Sequence, residues 1–318
     1  MERIAVLIPC LNEEITIAKV IADFRQALPE AGVYVYDNNS TDRTAEIARE
    51  AGATVRHEPR PGKGNVIRSM LHDIDALCYL IVDGDDTYPA EYARQMADCV
   101  LEGRCDMVVG DRLTSRAYFE QNKRPFHNMG NRIVRHLVNM VYRSDIRDIM
   151  TGYRAISYPF AKSFPVLSRG FEIETEMSIH CLDRNLIYHN VPIEYRCRPS
   201  GSISKLHTYD NGLQVLKTIF SLYRTYKPLR FFLWCSALSL LISVSFLIPV
   251  MLEFIATNTT TKLPSFIACV FFGILAIQSF FQGLSLDTIN QKDRRDFELE
   301  YGRCRNRFRT FLSEDGVS

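Results

Sequence analysis

A cluster of carboxylates directly follows a short apolar run. Tyr79–Val82 carries no charge and leads into Asp83, Gly84, Asp85 and Asp86. A buried strand that ends in neighbouring carboxylates suits a hard cation such as Mg²⁺ or Mn²⁺, because these ions prefer oxygen ligands and keep several waters. Such an ion commonly neutralises phosphate groups. The alternative is an acidic turn that is only hydrated, since acidic turns after strands are common.

Two long apolar stretches lie far downstream of this cluster. Phe231–Leu252 and Leu263–Leu286 contain no charged residue, and each is long enough to cross a bilayer as a helix. Buried helices of a soluble protein are the alternative. A phosphate-handling domain joined to a membrane hairpin predicts chemistry between a nucleotide and a lipid.

The charges around the two stretches predict their orientation. The connecting loop contains a single basic residue, Lys262, whereas several lie outside the hairpin on both sides: Arg224, Lys227, Arg230, Lys292, Arg294 and Arg295. Because basic residues favour the cytosolic face of a membrane, both termini and the N-terminal domain are expected in the cytosol, at the plasma membrane.

Composition excludes several other classes of protein. The 318 residues include 38 basic and 37 acidic side chains, for a formal charge of +1. This balance argues against nucleic acid as a partner. The nine cysteines form no CxxC pair and no zinc-like spacing, so reduced thiols are expected. The N-terminus has no cleavage site and predicts a first strand instead of a signal peptide.

Apolar strand-like runs alternate with helical patterns over most of the N-terminal part. The predicted strands are 4–8, 33–36, 53–56, 79–82, 107–110 and 187–195. This alternation predicts an α/β fold with a mainly parallel sheet and helices on both faces. Ligands of such sheets bind at the carboxyl ends of the strands. Asp37, Asp83 and Asp85 follow predicted strands, so we expect them on one rim.

Further polar residues on this rim each have two interpretations. The Asp37 carboxylate can accept the ring N–H of a uracil or guanine, or it can form a simple Asx turn. Pro9, Asn12 and Glu13 can contact a ribose, or they can be a strand exit and a helix cap. Lys63 lies in a glycine turn at a predicted helix start and can approach a diphosphate, although the spacing of a P-loop is absent.

The order of these motifs resembles the family 2 glycosyltransferases of GT-A fold. The resemblance covers roughly residues 4–226 and rests on Pro9-x-x-Asn12-Glu13-Glu14, Asp37-Asn38-Asn39-Ser40-Thr41-Asp42, Gly62-Lys63-Gly64-Asn65, Asp83-Gly84-Asp85 and Asp148-x-x-Thr151-Gly152-x-Arg154. Two later motifs narrow it to the polyprenyl-phosphate branch: Val191-Pro192-Ile193-Glu194-Tyr195 and Arg198-x-x-Gly201-x-x-Ser204-Lys205. That branch is similar to dolichyl-phosphate mannose synthase and to bacterial undecaprenyl-phosphate glucosyl- and N-acetylglucosaminyl-transferases with a two-helix membrane tail.

The resemblance implies a role for each matching position. The metal ligands for Mg²⁺ or Mn²⁺ are Asp83 and Asp85. The catalytic residues are Asp85, Asp148 and Arg124. The donor-binding residues are Pro9, Asn12, Glu13, Asp37, Lys63, Asp83 and Arg154. The residues that bind the acceptor phosphate are Arg112, Arg124, Asn128, Arg198, Ser204 and Lys205.

Three acidic residues keep open assignments. Asp148 can orient the sugar or the acceptor, or assist the metal, and its alternative is a turn residue before Gly152. Glu174 and Glu176 lie where family members carry acidic residues, and their alternative is a solvated helix face.

The implied reaction is metal-dependent, inverting transfer of a sugar from a nucleotide-sugar to polyprenyl (undecaprenyl) phosphate. The acceptor oxygen is already ionised near neutral pH, so the reaction needs counter-charge more than a general base. The tail favours UDP-glucose or UDP-N-acetylglucosamine, with GDP-mannose as the alternative. A non-catalytic membrane scaffold and a transferase for a soluble acceptor stay open as competing interpretations. A polysaccharide polymerase is disfavoured because Gln121-Asn122-Lys123-Arg124 is followed by Pro125 instead of Trp.

The expected domains are a cytosolic GT-A domain (1–209), an amphipathic interfacial helix (210–228), two transmembrane helices (within 229–288) and a cytosolic basic tail (289–318). The product is expected to serve cell-envelope glycan modification. Expected partners are therefore the donor, the lipid, the membrane, a flippase, a later glycosyltransferase and a second copy of the chain, which would add membrane contact area.

Overall fold

The computed structural model describes residues 1–114, 135–199, 223–224 and 227–314. The chain divides into two compact units. The first comprises Met1–Val215 together with Phe297–Ser318, and the second comprises Leu216–Asp296. The candidate residues for phosphate chemistry belong to the first unit, and the two apolar stretches belong to the second.

Within the described residues of the first unit, seven strands form one sheet in the order β3-β2-β1-β4-β6-β5-β7. Every pairing is parallel except those of β6, which runs antiparallel to both of its neighbours. The strands are β1 (Glu2–Cys10), β2 (Gly32–Asp37), β3 (Thr54–His57), β4 (Ala76–Ile81), β5 (Met107–Asp111), β6 (Arg154–Ser157) and β7 (Tyr188–Pro192).

Helices pack around this sheet. The buried side of the first helix repeats at helical spacing, through Ile17, Val20, Ile21 and Phe24, so its apolar stripe faces the sheet. The helices are α1 (Ile17–Ala27), α2 (Thr44–Glu50), α3 (Lys63–Asp73), α4 (Ala93–Leu101), α5 (Tyr158–Ser163) and α6 (Ile173–Asp183), and residues 135–142 are also helical.

The strand order reverses between β1 and β4. The chain proceeds from β1 outward through β2 and β3, and then returns to place β4 on the other side of β1. Right-handed crossovers in the two directions put their helices on opposite faces of the sheet. A reversal of this kind opens a crevice at the carboxyl ends of the two strands, which is where ligands bind in such sheets. The segments after β1 and β4 contain the predicted donor and metal residues.

The predicted α/β class with a mainly parallel sheet is confirmed, and three local details differ. The first helix begins at Ile17, after Thr16, so the alternative of a helix cap at Asn12 and Glu13 is not observed, and Ile15 is 55% exposed. The third helix begins at Lys63, so this residue lies in the first helical turn and not in the preceding glycine turn. The antiparallel strand β6 was not predicted.

The second unit contains two long apolar helices, α7 (Pro228–Thr257) and the first part of α8 (Leu263–Glu314). Their most apolar 18-residue windows have mean hydropathies of 2.3 and 2.0. Ser243 Oγ donates to the carbonyl of Cys269 at 2.8 Å, and Ser236 Oγ donates to that of Ala276 at 2.8 Å. Small and hydroxyl residues at a helix contact are typical of membrane helices. Both helices are long and apolar enough to cross a bilayer, which favours membrane association.

Helix α8 continues beyond the predicted end of the second span to Glu314. Its last part, from Phe297, belongs to the first unit and buries Phe297, Cys304 and Phe308 there. The Tyr301 hydroxyl donates to Oδ1 of Asp106 at 2.5 Å, directly before β5. Residues predicted as part of a separate tail therefore contribute to the core of the first unit.

Candidate active site

The candidate site lies in the crevice beside β1 and β4. The Thr16 hydroxyl donates to the carbonyl of Gly84 at 2.6 Å, so the segments that leave the two strands are in contact. Three residues around this contact adopt left-handed backbone angles: Asn12 (φ 50°), Asn39 (φ 66°) and Asp86 (φ 58°). Asn and Asp tolerate this conformation better than other non-glycine residues, and such angles are concentrated at functional sites.

Side-chain amides hold the loops of the donor side together. Asn12 Oδ1 accepts from the backbone N–H of Thr41 at 2.7 Å, which joins the loops after β1 and β2. Asn38 Nδ2 donates to the carbonyls of Glu58 at 2.8 Å and Arg60 at 2.7 Å, and its Oδ1 accepts from the Gly62 N–H at 2.7 Å. Asn38 therefore connects the loop after β2 to the turn before α3.

Asp37 lies at the carboxyl end of β2, as predicted, and is buried. Its Oδ2 accepts from the backbone N–H of Ser40 at 3.3 Å, three residues along the chain, whereas an Asx turn bonds two residues along. Within the described part of the chain, Oδ1 of Asp37 is buried and has no hydrogen-bond partner. A buried carboxylate oxygen without a donor is costly, so this atom is suited to accept an N–H from a bound base.

Asp85 lies at the base of the crevice and is buried. Its Oδ1 accepts from the Thr87 hydroxyl at 2.6 Å, and its Oδ2 pairs with the guanidinium of Arg198. Burial raises the pKa of Asp85 above its ordinary value, and the neighbouring Asp83 charge raises it further. Two close carboxylates of which one is desolvated favour a cation between them, because a cation relieves both the repulsion and the loss of hydration.

Asp83 belongs to a three-residue bridge. Lys63 Nζ lies 2.5 Å from Oδ1 of Asp83 and 2.6 Å from Oε1 of Glu174. Burial by itself lowers the pKa of Lys63, but the charges of Asp83 and Glu174 outweigh it, so the net shift is upward and the ammonium stays charged. Lys63 was predicted to approach a diphosphate, and in the structure it pairs directly with Asp83.

Glu174 and Glu176 are both buried, so the interpretation of a solvated helix face is wrong. Glu174 pairs with Lys63, and burial raises its pKa above the ordinary value. Glu176 accepts from the backbone N–H groups of Leu167 at 3.1 Å and Ser168 at 2.8 Å. Helical spacing alone could not show this, because the partners come from other segments.

Arg112 and Asp148 form a second ion pair on the rim. Nε of Arg112 donates to Oδ2 of Asp148 at 2.7 Å, and Nη2 donates to Oδ1 at 3.3 Å and to the carbonyl of Met150 at 2.9 Å. Tyr88 joins this group, since its hydroxyl accepts from Nη1 of Arg112 at 3.3 Å. The ring of Tyr195 lies 5.8 Å from the Arg112 guanidinium. Asp148 is fully buried, and its Oδ1 also accepts from the backbone N–H of Met150 at 3.3 Å, so the interpretation as a turn residue before Gly152 stays open.

Arg154 is not brought to the crevice. Its guanidinium is buried and donates to the carbonyls of Thr151 at 3.0 Å and Ile149 at 2.7 Å and to the Ser178 hydroxyl at 2.9 Å. These bonds fix the segment that carries Asp148. Arg154 was expected to contact the sugar donor, but in the structure it supports the segment that carries Asp148.

Four predicted residues lie outside the described residues: Arg124, Asn128, Ser204 and Lys205. Apart from Arg154, the remaining ones lie in the segments around the crevice. Pro9 lies in β1 beyond Leu7, the last residue of that strand paired with β4. The backbone N–H of Glu13 donates to the Thr44 hydroxyl at 2.7 Å. Glu174, Tyr88 and Tyr195 were not assigned to the site from sequence; only the acidic character of the helix pointed to Glu174.

The carboxylates at this site suit a divalent cation that takes its remaining ligands from water and a bound substrate. Among the residues that the structure describes, no three His, Cys, Asp or Glu side chains are grouped to hold a metal ion. Asp83 and Asp85 supply two adjacent carboxylates. Mg²⁺ is bound in many enzymes by one or two carboxylates, with water and substrate phosphates completing its shell. A cation held partly by a bound diphosphate therefore suits this pair.

Comparison with known proteins identifies the family. The sequence profile of glycosyl transferase family 2 matches residues 5–162. Glycosyltransferase AglJ of Haloferax volcanii is 36% identical over 232 residues, which cover 73% of this chain and 75% of that protein. The chain belongs to glycosyl transferase family 2. It is a glycosyltransferase, as its motif order predicted.

Other relatives of this family 2 glycosyltransferase extend the comparison. Protein RfbJ of Shigella flexneri is 57% identical over 110 residues, which cover 35% of this chain and 85% of RfbJ. A dolichyl-phosphate hexose transferase of Haloferax volcanii is 29% identical over 218 residues, covering 69% of this chain and 92% of that protein.

A solved structure confirms the GT-A fold of this family 2 glycosyltransferase. Glucosyl-3-phosphoglycerate synthase from Mycobacterium tuberculosis, in complex with Mn²⁺, uridine diphosphate and phosphoglyceric acid, aligns with a TM-score of 0.57 at 22% identity. The alignment covers 70% of this chain and 78% of that one. A likeness at this identity concerns the fold.

Proposed function

We propose that this glycosyltransferase moves a sugar from a nucleotide-sugar to a polyprenyl phosphate, with inversion at the anomeric carbon. One observation carries the proposal: buried carboxylates and cationic side chains meet in the β1–β4 crevice of a chain that also has two helices long enough to cross a membrane. The name of the relative called dolichyl-phosphate hexose transferase supports a lipid phosphate acceptor.

The donor would bind along the rim formed by β1 and β2. Oδ1 of Asp37, which has no hydrogen-bond partner among the residues that the structure describes, would accept the ring N–H of the base. Asn12 and Glu13, held by the hydrogen bonds between loops, would contact the ribose near Pro9. We propose UDP-glucose or UDP-N-acetylglucosamine as donor, with GDP-mannose as the alternative, because both uracil and guanine offer such an N–H.

Asp83 and Asp85 would hold Mg²⁺ or Mn²⁺ together with the donor diphosphate. When bound, the ion would neutralise charge on the leaving nucleotide diphosphate. Lys63 keeps its ammonium beside Asp83 and can donate to a phosphate oxygen from there. Thr87 orients the Asp85 carboxylate through its hydroxyl, so the pair is preorganised for a cation.

The acceptor phosphate needs cations more than a base, because its oxygen is ionised near neutral pH. Arg198 lies beside Asp85, and its guanidinium suits two-pronged binding of a phosphate. Arg112 is paired with Asp148, lies over the ring of Tyr195 and would also bind the acceptor phosphate. We assign Arg124, Asn128, Ser204 and Lys205 to the same task on the basis of the family resemblance.

The chain's location follows from the same proposal. We propose a plasma-membrane protein with its catalytic domain (1–209) and both termini in the cytosol, an interfacial helix at 210–228 and spans within 229–288. Its lipid-linked product would cross the membrane and donate sugar to cell-envelope glycans. A flippase, a later glycosyltransferase and a second copy of the chain are the proposed partners.

Transfer of radiolabel tests the proposal directly. Labelled UDP-glucose, UDP-N-acetylglucosamine, UDP-galactose or GDP-mannose is incubated with undecaprenyl phosphate and with Mn²⁺, Mg²⁺ or EDTA. We expect chloroform-soluble label from one donor, lost with EDTA. No lipid-soluble label from any donor would favour a soluble acceptor, a rarer sugar or a non-catalytic scaffold. Arg124→Ala should raise the KM for the lipid phosphate more than the KM for the donor, whereas an equal rise would place Arg124 elsewhere.

A further inference from the structure

Glu174 connects the catalytic crevice to a helix that sequence motifs did not assign to it. It lies in the first turn of α6, and its carboxylate is 2.6 Å from Nζ of Lys63. Lys63 in turn is the first residue of α3 and lies 2.5 Å from Asp83. Three elements, α6, α3 and the end of β4, therefore meet through one ammonium group.

The backbone around this bridge is held independently of it. The Gly64 N–H donates to the carbonyl of Arg169 at 3.0 Å, and a Cβ atom at position 64 would lie 2.1 Å from the carbonyl oxygen of Ser168. Glu176 binds the N–H of the same Ser168 at 2.8 Å. The start of α3 is thus packed against the segment before α6, so Lys63 and Glu174 face each other without depending on their own ion pair.

The charges of the bridge do not cancel. Two carboxylates share one ammonium, so the bridge of Asp83, Lys63 and Glu174 retains one negative charge. The second pair, Asp85 with Arg198, is neutral. If Glu174 lost its charge, Lys63 would pair with Asp83 alone and neutralise it completely, so Asp83 would attract a cation less strongly.

We propose that Glu174 is a positioning residue for the cation site: it shares the charge of Lys63, and it holds the ammonium at one oxygen of Asp83 so that the carboxylate keeps its orientation and negative charge for a divalent ion. This inference rests on the proposed metal-dependent function. Glu174 does not touch the cation or the substrate in this account and acts through Lys63.

Mn²⁺ binding to the full-length, detergent-solubilised protein tests the role of Glu174. Binding is measured by electron paramagnetic resonance of free Mn²⁺ in the presence of UDP. Glu174→Gln keeps the shape of the side chain and removes its charge. We expect its Kd for Mn²⁺ to rise by about tenfold or more, as is common when a residue that supports a metal ligand is changed. Glu172→Gln, which removes an exposed charge just before α6, should leave the Kd unchanged.

The Lys63→Met protein distinguishes a positioning role of Glu174 from a general effect on stability. In Lys63→Met, Glu174 has no ammonium to act through, so adding Glu174→Gln should change the Kd for Mn²⁺ by less than about twofold. The same added loss in both backgrounds would overturn the inference, as would an unchanged Kd in Glu174→Gln alone. If Glu174→Gln does not fold, the Lys63→Met proteins with and without it decide the question, since a Kd difference between them contradicts the proposal and equal values support it.

The outcomes also separate this inference from the function on which it rests. Wild-type protein that binds no Mn²⁺ with UDP present would overturn the metal-dependent function and the role of Glu174 together. Wild-type binding with no response to Glu174→Gln would overturn only the role of Glu174.

Discussion

Gly152 lies against the carboxylate of Asp83. A Cβ atom at position 152 would come within 2.5 Å of Oδ2 of Asp83, closer than real contacts allow. The Gly152 N–H donates to the Tyr88 hydroxyl at 3.0 Å, which holds the glycine in place. With Lys63 at Oδ1 and Gly152 at Oδ2, Asp83 is confined from both sides. The glycine of the Asp148-x-x-Thr151-Gly152 motif is therefore required by contact and not by backbone angle.

Gly152→Ala should displace the Asp83 carboxylate and lower the transfer rate. We expect a loss of at least about tenfold, as for other changes that reorient a metal ligand. The cost in folding free energy should be about 1 to 3 kcal/mol, typical of an overpacked buried position. Sugar transfer and urea unfolding measure the two effects. The control is Gly302→Ala, because a Cβ there meets nothing within 4 Å; it should keep full activity, and an equal loss of activity in both variants would contradict the role of the Asp83 contact.

Asp85→Asn should nearly abolish sugar transfer while the protein stays folded. The expected loss exceeds about 100-fold, because one of the two proposed charged ligands for the cation would be removed. Burial and the Asp83 charge raise the pKa of Asp85, so its ionised form opposes folding and its removal should not lower Tm. Asp86→Asn is the matched control, since Asp86 pairs with Lys19 at 2.6 Å. Activity retained in Asp85→Asn would rule out this carboxylate as a ligand.

His180 should make the first unit sensitive to acid. Burial lowers the pKa of His180 from 6.5 to about 3, and the Arg184 charge contributes in the same direction. Between these values the unfolded chain binds a proton that the folded chain excludes. The contribution of His180 to the free energy of unfolding is therefore fully present above pH 6.5. It declines as the pH falls toward 3, by up to about 1.4 kcal/mol per pH unit.

His180→Phe checks that dependence, because the side chain already lies among the rings of Phe160, Phe164 and Phe297. Between pH 6.5 and pH 4.5 the unfolding free energy of the variant should fall less steeply than that of the wild-type protein. The difference in slope should be up to about 1.4 kcal/mol per pH unit, the value for one proton. Urea unfolding at several pH values gives the slope. His72→Gln, a change at an exposed histidine, should leave the slope unchanged. A wild-type slope in His180→Phe would show that other groups control acid stability.

Tyr301→Phe should destabilise the first unit by about 1 to 3 kcal/mol, because its hydroxyl donates to a carboxylate oxygen of Asp106. Asp106 also accepts from the Ile187 N–H at 3.0 Å, so the lost bond weakens a junction between α8, β5 and β7. Urea unfolding measures the change. Arg303→Gln on the same helix removes only an exposed pair with Glu300 and should have almost no effect. Equal stability of Tyr301→Phe and wild type would show that this contact is not made in solution.

The sequence predicted the α/β fold because apolar runs and helical patterns alternate strictly in the first hundred or so residues, and parallel strands follow from that order. It could not predict β6. Only four residues long, this strand begins with the buried Arg154, whose charge hides a core position. The helix boundary at Ile17 was missed because Ile15 matches the apolar spacing although it precedes the first turn.

The sequence indicated the acidic residues of the candidate site but not their ion-pair partners. Asp83 and Asp85 are recognisable because they lie two residues apart, just after a strand. Their partners come from far along the chain: Arg198 pairs with Asp85, and Glu174 reaches Asp83 through Lys63. No local pattern encodes such contacts, since they depend on how α3, α6 and the segment after β7 pack around the sheet.

The return of α8 to the first unit makes the apolar hairpin an insertion in the chain and not a terminal anchor. A protein cut before Phe231 to gain solubility would lose the buried side chains of Phe297, Cys304 and Phe308 and the partner of Asp106 along with the hairpin. A water-soluble form of the enzyme should therefore be sought by replacing residues 216–296 with a short polar linker that keeps the last helical turns covalently joined.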